Sequence, residues 1–220
     1  LLKTGGASVF FDFGLNFGLQ KKFYDNFLQP KTVSGLYEPV TMSFLPPFRG
    51  MYREDLVCSA ADPYRDGGIS WEDPGEVNAI LLSHAHVDHM GLIPYLREDI
   101  PVLCSPMTVA IARAVQDTGK DGIASEYCYL VRRRDGEKGD GLSSPHWKTE
   151  PSVSRLFCLT APASPELQQF WQESPGGRAL AASELLSAGD VAGIPVKSWP
   201  LDHSIYGATA WAVQTDAGWV

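Results

Sequence analysis

The feature that most constrains the fold of this chain is a run of four apolar residues, 79–82, that leads directly into a cluster of histidines. His84, His86 and His89 fall within six residues, and Asp88 lies between the last two. A short apolar run bounded by polar residues is typical of a buried strand, so we expect a strand over about 78–83. That strand would deliver the polar side chains to the edge of a sheet, where a metal ion and a substrate can both reach them.

The spacing within this cluster fits a metal site. In an extended backbone, residues two apart point to the same side, so His84 and His86 can hold one ion. Asp88 and His89 follow where the chain turns, and they can face a second ion. Imidazole together with carboxylate suits zinc, and also manganese or iron. Surface histidines can also cluster by chance, but this alternation after an apolar strand favours the metal site.

These four residues resemble the H-x-H-x-D-H signature of the metallo-β-lactamase superfamily. The resemblance implies an α+β fold, an αββα four-layer sandwich, with the metal site at one edge of two sheets. It also implies a metal-dependent hydrolase. It says little about the substrate, which other parts of the chain have to indicate.

The composition fits a single domain over 1–220, or a large part of one, because 44% of the residues are hydrophobic and 20% are charged. No apolar run approaches the length of a membrane-spanning helix, so we expect no membrane partner. The net charge of −8 argues against a protein that coats nucleic acid. It does not argue against an enzyme with a local basic track.

The cysteines, Cys58, Cys104, Cys128 and Cys158, show neither C-x-x-C pairing nor regular spacing. A zinc knuckle or a disulfide framework is therefore not expected. We interpret them as buried or free thiols of a protein in a reducing cytoplasm.

An apolar strand expected over 9–14 carries one carboxylate, Asp12. The side chain either caps the following turn or orients the metal ligands from behind. The F-D-F-G segment resembles the first motif of the superfamily, an aspartate at a strand end beneath the metals, and this supports the orienting role.

The rest of the pattern alternates strands with helices, as layered α/β proteins do. We expect strands over 101–104, 153–159, 194–201 and 208–215, and helices over 91–98, 106–118, 165–173 and 178–187. The helix over 91–98 would start close to His89, with Pro94 in its first turn. Its positive N-terminal end would favour an anionic substrate.

Two stretches have more than one interpretation. Residues 19–57 are rich in loops, and their aromatic and basic side chains either pack together or form one wall of a substrate cleft; they are Phe44, Phe48, Arg49, Tyr52 and Arg53. Packing is the favoured alternative for these residues.

The second stretch, 132–162, is rich in glycine and serine, and we expect a mobile insertion there. It opens with Arg132, Arg133 and Arg134, which form either a solvated loop or a contact with substrate phosphate. The solvated loop is favoured. His146 lies in the same stretch without a neighbour at ligand spacing, so we expect a surface histidine.

The segment 201–210, with 215–218 after it, resembles the third-histidine region of ribonuclease J and related RNA nucleases of the superfamily. The residues specific to this resemblance lie in 12–14, 83–95 and 202–218. The chain stops before the T-G-D aspartate, the β-CASP insertion and the late histidine of those nucleases. We therefore expect a domain that is incomplete at its C-terminus.

The resemblance implies a site with two zinc ions. One ion would be held by His84, His86 and His203, while Asp88 and His89 contribute to the second. Ser204 is a candidate substrate contact beside His203.

The mechanism implied is two-metal hydrolysis, in which a hydroxide shared by ions about 3.5–4 Å apart attacks phosphorus. Asp88 would orient the water. We therefore expect a ribonuclease that acts on single-stranded RNA as an exonuclease and endonuclease. A glyoxalase-type thioester or lactone hydrolase uses the same motif and is the alternative. A third hypothesis is an inactive truncated module for binding or dimerisation, and a homodimer is compatible with the sequence.

Overall fold

The computed structural model describes residues 1–24, 30–66, 68–145, 150–173, 179–189, 191 and 193–220. Its central sheet has six strands: β1 (Leu2–Thr4), β2 (Ala7–Phe11), β3 (Val77–Leu81), β4 (Val102–Cys104), β9 (Phe157–Leu159) and β11 (Leu186–Ser187). They lie in the order β1-β2-β3-β4-β9-β11. β1 is antiparallel to β2 and every other neighbouring pair is parallel. The carboxyl ends of β2, β3 and β4 therefore meet at one edge.

A second, antiparallel sheet lies on one face of the central sheet. It consists of β12 (Val196–Pro200), β13 (Thr209–Thr215) and β14 (Gly218–Trp219). Val213 belongs to one buried cluster with Ala79, Leu81 and Leu103, and Trp211 packs against that cluster. Alternate residues of a strand point to opposite faces, so these contacts orient the whole second sheet.

The other face of the central sheet is covered by helical and loop segments. Ile80 belongs to the larger core together with Val109 and Ala112 of helix α5 (Pro106–Thr118). The shorter helices are α1 (Phe17–Phe23), α2 (Tyr37–Thr41), α3 (Pro63–Asp66), α4 (Val87–Met90) and α6 (Pro165–Gln172). No helix in the described ranges is both long and apolar enough to cross a membrane.

Two small sheets complete the described structure. One joins β5 (Tyr129–Leu130), β8 (Ser152–Ser154) and β10 (Leu180–Ala181), and the other pairs β6 (Arg134–Asp135) with β7 (Leu142–Ser143). Single turns of 3-10 helix lie at Thr32–Ser34, Glu54–Leu56, Ile93–Tyr95 and Ile123–Ser125.

The expected mixture of layered helices and sheets is present, whereas the four-layer sandwich is seen only in part. On the outer face of the second sheet, Trp199 and Trp219 remain 48% and 44% exposed. A fourth, helical layer does not cover that face in the described ranges.

Several local predictions are confirmed. Helix α5 begins after Ser105, whose Oγ accepts a hydrogen bond from Thr108 N at 3.1 Å, and α6 begins after Ser164, whose Oγ accepts from Leu167 N at 3.2 Å. The strands over 101–104, 194–201 and 208–215 appear as β4, β12 and β13. All four cysteines are free thiols, three buried and Cys158 half-buried.

The helix predicted over 91–98 was wrong. After α4 the chain forms only the 3-10 turn Ile93–Tyr95. The backbone groups that a helix would use go elsewhere: Arg53 N donates to Tyr95 O at 3.0 Å and Arg97 N donates to Met51 O at 3.0 Å. Tertiary hydrogen bonds therefore replace the helix. Without that helix there is no helix dipole here to favour an anionic substrate.

Two further predictions need correction. The helix over 178–187 was wrong, because its described part contains the strands β10 and β11, each paired in parallel with another strand. The strand over 153–159 is divided into β8 and β9, which belong to different sheets. Since β9 is an inner strand of the central sheet, the expected insertion cannot extend to 162.

Candidate metal centre

Two neighbouring parallel strands end side by side at the candidate site. Phe11 of β2 lies opposite Leu81 of β3, so the residues that follow each strand emerge at the same edge. The strand expected over 9–14 ends at Phe11, because Asp12 adopts a φ of 58°, a left-handed conformation that aspartate tolerates better than most residues. Asp12 N donates to Leu81 O at 3.1 Å, which directs the chain across the end of β3.

The segment after Asp12 lies so close to α4 that a side chain does not fit. Phe13 N donates to His89 O at 2.9 Å. A Cβ atom at Gly14 would lie 1.7 Å from the carbonyl oxygen of Asp88. Glycine is required here by this close approach, which brings the first motif and the histidine motif together.

His203 arrives from the loop between β12 and β13, which is tied to the same edge. Thr209 N donates to Ser83 O at 2.9 Å. Gly207 has a φ of 84°, and its carbonyl oxygen accepts from Ser105 Oγ at 2.7 Å. These bonds fix both the start of β13 and the turn before it, and so place His203 over the end of β3.

The ring nitrogens of His84, His86 and His203 converge within 4.8 Å of one another. His84 Nε2 lies 3.0 Å from His86 Nδ1 and 3.1 Å from His203 Nε2. A tetrahedral zinc with bonds of about 2.0–2.1 Å would hold its ligand atoms roughly 3.3 Å apart. Three ring nitrogens that face one another can form only one N–H···N hydrogen bond, which leaves a lone pair without a partner. A single cation, in contrast, can bind the lone pairs of all three nitrogens. The arrangement therefore fits a metal ion.

The three rings differ in exposure. His84 is buried, His86 is half-buried and His203 is exposed. Burial, and then the neighbouring histidines, lower the pKa of His84 from 6.5 to about 4. This imidazole is therefore neutral near pH 7, the form that binds metals, and the open side of the cluster leaves room for water or substrate.

Asp12 contacts the histidine motif from behind in two ways. Its Oδ2 lies 2.7 Å from His89 Nδ1 and accepts from Ser83 Oγ at 2.8 Å, while its Oδ1 accepts from Ser83 N at 2.6 Å. Ser83 Oγ also lies 2.9 Å from His84 Nδ1. If the Ser83 hydroxyl donates to Asp12, its oxygen can accept from His84 Nδ1–H. Both histidines then present Nε2 for a metal.

Sequence reasoning gave Asp12 an orienting role but missed Ser83. The only signal was its position, a hydroxyl side chain directly before His84 at the end of the strand. A contact that joins two motifs distant in the sequence cannot be read from local spacing alone.

A second ion would find two ligand atoms next to the first cluster. Asp88 Oδ2 lies 3.6 Å from His89 Nε2, and the side chain of Asp88 is 47% exposed. The rings of His89 and His84 are adjacent, with centroids 4.0 Å apart. Carboxylate and imidazole together suit zinc or manganese at this second position.

A family model described as the metallo-beta-lactamase superfamily matches residues 71–103, the stretch that contains β3, the histidine motif and α4. The resemblance to this superfamily is therefore confirmed. The matched stretch includes His84, His86, Asp88 and His89, and it lies outside the segment that carries His203.

Two curated relatives carry the name Ribonuclease J. The one from Mycolicibacterium smegmatis is 49% identical over 41 residues, which is 17% of this chain and 7% of that protein. The one from Methanocaldococcus jannaschii is 44% identical over 41 residues, 18% of this chain and 9% of that protein. The matches thus span less than a tenth of the length of these relatives.

The structure is also similar to the crystal structure of a protein of unknown function from Enterococcus faecalis V583. The TM-score is 0.52 at 21% identity, over 99% of this chain and 37% of that one. This similarity shows a shared fold and nothing about substrate.

The three arginines of the basic run each contact a carboxylate. Arg132 pairs with Glu98 and Arg134 with Glu150 at the surface, and Arg133 is buried with Nη2 2.7 Å from Glu126 Oε1. These ion pairs neutralise much of the charge that a phosphate would meet. Phosphate contact by the run stays a prediction.

Other predicted residues are placed as follows. Ser204 is exposed next to His203 in the sequence. Tyr52 and Arg53 are buried, which supports packing for these two, whereas Arg49 lies over the rings of Tyr64 and Trp71. His146 lies outside the described residues.

Proposed function

We propose that this chain is a metal-dependent hydrolase that cleaves phosphodiester bonds in single-stranded RNA. The observation that carries the proposal is the convergence of three imidazole nitrogens within 4.8 Å at the edge of the central sheet. Members of the metallo-β-lactamase superfamily are hydrolases, and the superfamily model matches the stretch that supplies two of these histidines.

The ligand roles follow from the contacts. His84, His86 and His203 would hold one zinc, and Asp88 with His89 would contribute to the second; manganese also suits the second donor set. A zinc pair, when bound, supplies Lewis acidity and a water whose pKa lies near about 7. Asp12 and Ser83 hold His89 and His84 in orientation.

Asp88 has a further role in the proposal. Its carboxylate is exposed toward solvent beside His89, so it can accept a proton from the attacking water and hold that water in line with the scissile bond. The exposed His203 and Ser204 border the same opening, where the substrate phosphate would enter.

RNA is proposed as the substrate because two relatives of the motif region are named Ribonuclease J. Since the chain carries a net charge of −8, RNA would need local cationic contacts. Arg132 and Arg134 are the exposed candidates, and each would have to exchange its carboxylate partner for phosphate. The free thiols support a reducing compartment such as the cytoplasm.

The alternative function is hydrolysis of a thioester or lactone, because the histidine motif itself does not distinguish acyl from phosphoryl substrates. An inactive module for binding or dimerisation is the third candidate. No contact among the described residues favours either of these alternatives over the ribonuclease.

The test compares three substrates under one set of conditions. The chain is incubated in an excess of Zn²⁺, so that the weaker second position is filled as well as the first, with a labelled single-stranded RNA, with bis(p-nitrophenyl) phosphate and with an acyl homoserine lactone. We expect cleavage of the two phosphodiesters that is lost in His84→Ala and kept in the matched control His146→Ala. Lactone cleavage alone would support the alternative, and no turnover of any substrate would support the inactive module.

A further inference from the structure

A cavity lined by described residues adjoins α4, the helix that carries Asp88 and His89. It has a volume of about 530 Å³, within the range of pockets that hold small organic molecules. Val87 and Gly91 line it, and both are within two residues of His89. The cavity therefore adjoins the helix that carries two of the proposed metal ligands.

The cavity has the lining of a site for a flat, aromatic group. The ring of Tyr24 is stacked on that of Phe44, with centroids 5.4 Å apart and planes 17° from parallel. Tyr95 and Tyr127 contribute two more rings to the wall, and both are buried. Stacked rings offer an aromatic ligand a face on which the stack can continue.

Polar groups around the cavity suit a base better than a phosphate backbone. Among the described lining residues, Lys31 and Lys120 are matched in number by Glu38 and Asp121, so this part of the lining has no net charge. A polyanion gains little from such a balanced set, whereas the edge of a nucleobase can use donors and acceptors together. The wall also carries the side-chain amide of Gln20, and the hydroxyl oxygen of Ser125 can accept, since its hydrogen is directed at the carbonyl oxygens of Lys120 and Gly122.

We infer that this cavity, which we call the α4 cavity, binds a nucleobase of the RNA substrate. The inference rests on the proposed function for the identity of the substrate. It assigns to Phe44 and Tyr24 a stacking role, and so favours the cleft-wall interpretation of Phe44 over simple packing.

Nucleotide binding tests this inference separately from hydrolysis. Adenosine 5′-monophosphate and ribose 5-phosphate are titrated into the isotope-labelled chain, with and without Zn²⁺, and the amide signals of Ile123 and Ser125 are followed by NMR. The nucleotide should shift these signals and ribose 5-phosphate should not, because only the nucleotide carries a base. Equal shifts with both compounds, or none with either, would overturn the inference.

Two variants locate the base. Phe44→Ala should weaken nucleotide binding about tenfold, as the loss of one base-stacking contact does. Ala124→Trp introduces a large side chain at an exposed position of the cavity wall, so it should fill the cavity and abolish the shifts. Unlike Phe44→Ala, this variant removes no packed ring. Trp199→Ala, an exposed aromatic residue on the second sheet, is the matched control and should bind like the original chain.

Nucleotide binding unchanged in both Phe44→Ala and Ala124→Trp would place the base elsewhere and overturn the inference. An acyl homoserine lactone that shifts the same amides, when the nucleotide does not, would assign the cavity to an acyl group instead. The proposed ribonuclease activity fails by a different result, the absence of phosphodiester cleavage.

Discussion

The histidine cluster at the end of β3 and the buried arginine cluster that contacts the turn Ile93–Tyr95 and its neighbours treat their polar groups in opposite ways. In the arginine cluster, formed by Arg53, Arg133 and Arg155 with Asp55 and Glu126, every guanidinium nitrogen except Arg133 Nε has a hydrogen-bond partner. Arg155 Nη1 donates to Leu96 O and its Nη2 to Pro94 O, both at 2.7 Å.

In the histidine cluster, by contrast, three ring nitrogens face one another without enough hydrogens to join them. Only their outer edges are fixed, through Ser83 and Asp12. Polar groups that satisfy each other hold the backbone in place. Ring nitrogens that converge with too few hydrogens for all of them to be hydrogen-bonded to one another, on a rigid support, are a site for a ligand.

Removal of an arginine from the buried arginine cluster should lower stability the most. Arg155→Met removes three donors, Nε, Nη1 and Nη2, and leaves the buried carbonyl oxygens of Leu96 and Glu126 without these partners, while Pro94 O keeps only Arg53 Nη1 at 3.3 Å. We expect a loss of about 3–5 kcal/mol in the free energy of unfolding. Urea unfolding measures it, and a loss below about 1 kcal/mol would contradict the role given to this side chain.

Removal of a histidine from the histidine cluster should affect metal binding rather than folding. His84→Ala or His203→Ala removes one of three ligands, so zinc affinity should fall by more than about 100-fold. This loss is larger than the loss expected when a residue that only orients a ligand is changed. Competition with a zinc chelator gives the affinity. Stability of the metal-free chain should change far less in exposed His203→Ala than in Arg155→Met, and the reverse order would remove the contrast between the clusters.

Ser83 is expected to orient the ligand His84 without binding the metal itself. Ser83→Ala should lower zinc affinity about tenfold, since His84 loses the acceptor for its Nδ1–H. Ser83→Thr keeps the hydroxyl and should restore most of the affinity. Long-range proton–nitrogen NMR spectra report the His84 tautomer directly, and an unchanged Nδ1–H tautomer in Ser83→Ala would contradict this role.

A further expected effect is a dependence of stability on pH. The pKa of His84 is lowered in the folded state from 6.5 to about 4, so the unfolded chain binds this proton more readily between those values. The free energy of unfolding of the metal-free chain should therefore fall as pH drops from about 6.5 toward 4. In His84→Gln this part of the slope should disappear, and equal slopes in urea titrations of the two proteins would show that the histidine is not responsible.

The parts of the site that depend on local spacing could be predicted from the sequence. His84, His86, Asp88 and His89 follow one strand within six residues, and the caps at Ser105 and Ser164 depend only on the residues that follow them. His203 was predicted because its own segment resembles a known one. Such features need no knowledge of tertiary contacts.

The parts that depend on distant partners could not be predicted. Arginine is usually a surface residue, so nothing local marks Arg155 as a fully buried donor to the carbonyls of Pro94 and Leu96. Those carbonyls and their neighbours are the groups that the expected helix over 91–98 would have used. The helix failed for the same reason that the arginine cluster was missed.

Zinc content after dialysis decides whether the histidine cluster is the metal centre. The zinc-loaded chain, its His84→Ala, His86→Ala, His203→Ala triple variant and the control His146→Ala are dialysed together and analysed for metal. The original chain and the control should each keep close to one zinc, because three converging imidazoles hold the first ion while Asp88 and His89 are the two ligands that the described residues offer the second. The triple variant should keep none. A triple variant that retains as much zinc as the original chain, or an original chain that retains none, would contradict the assignment of this cluster as the metal centre.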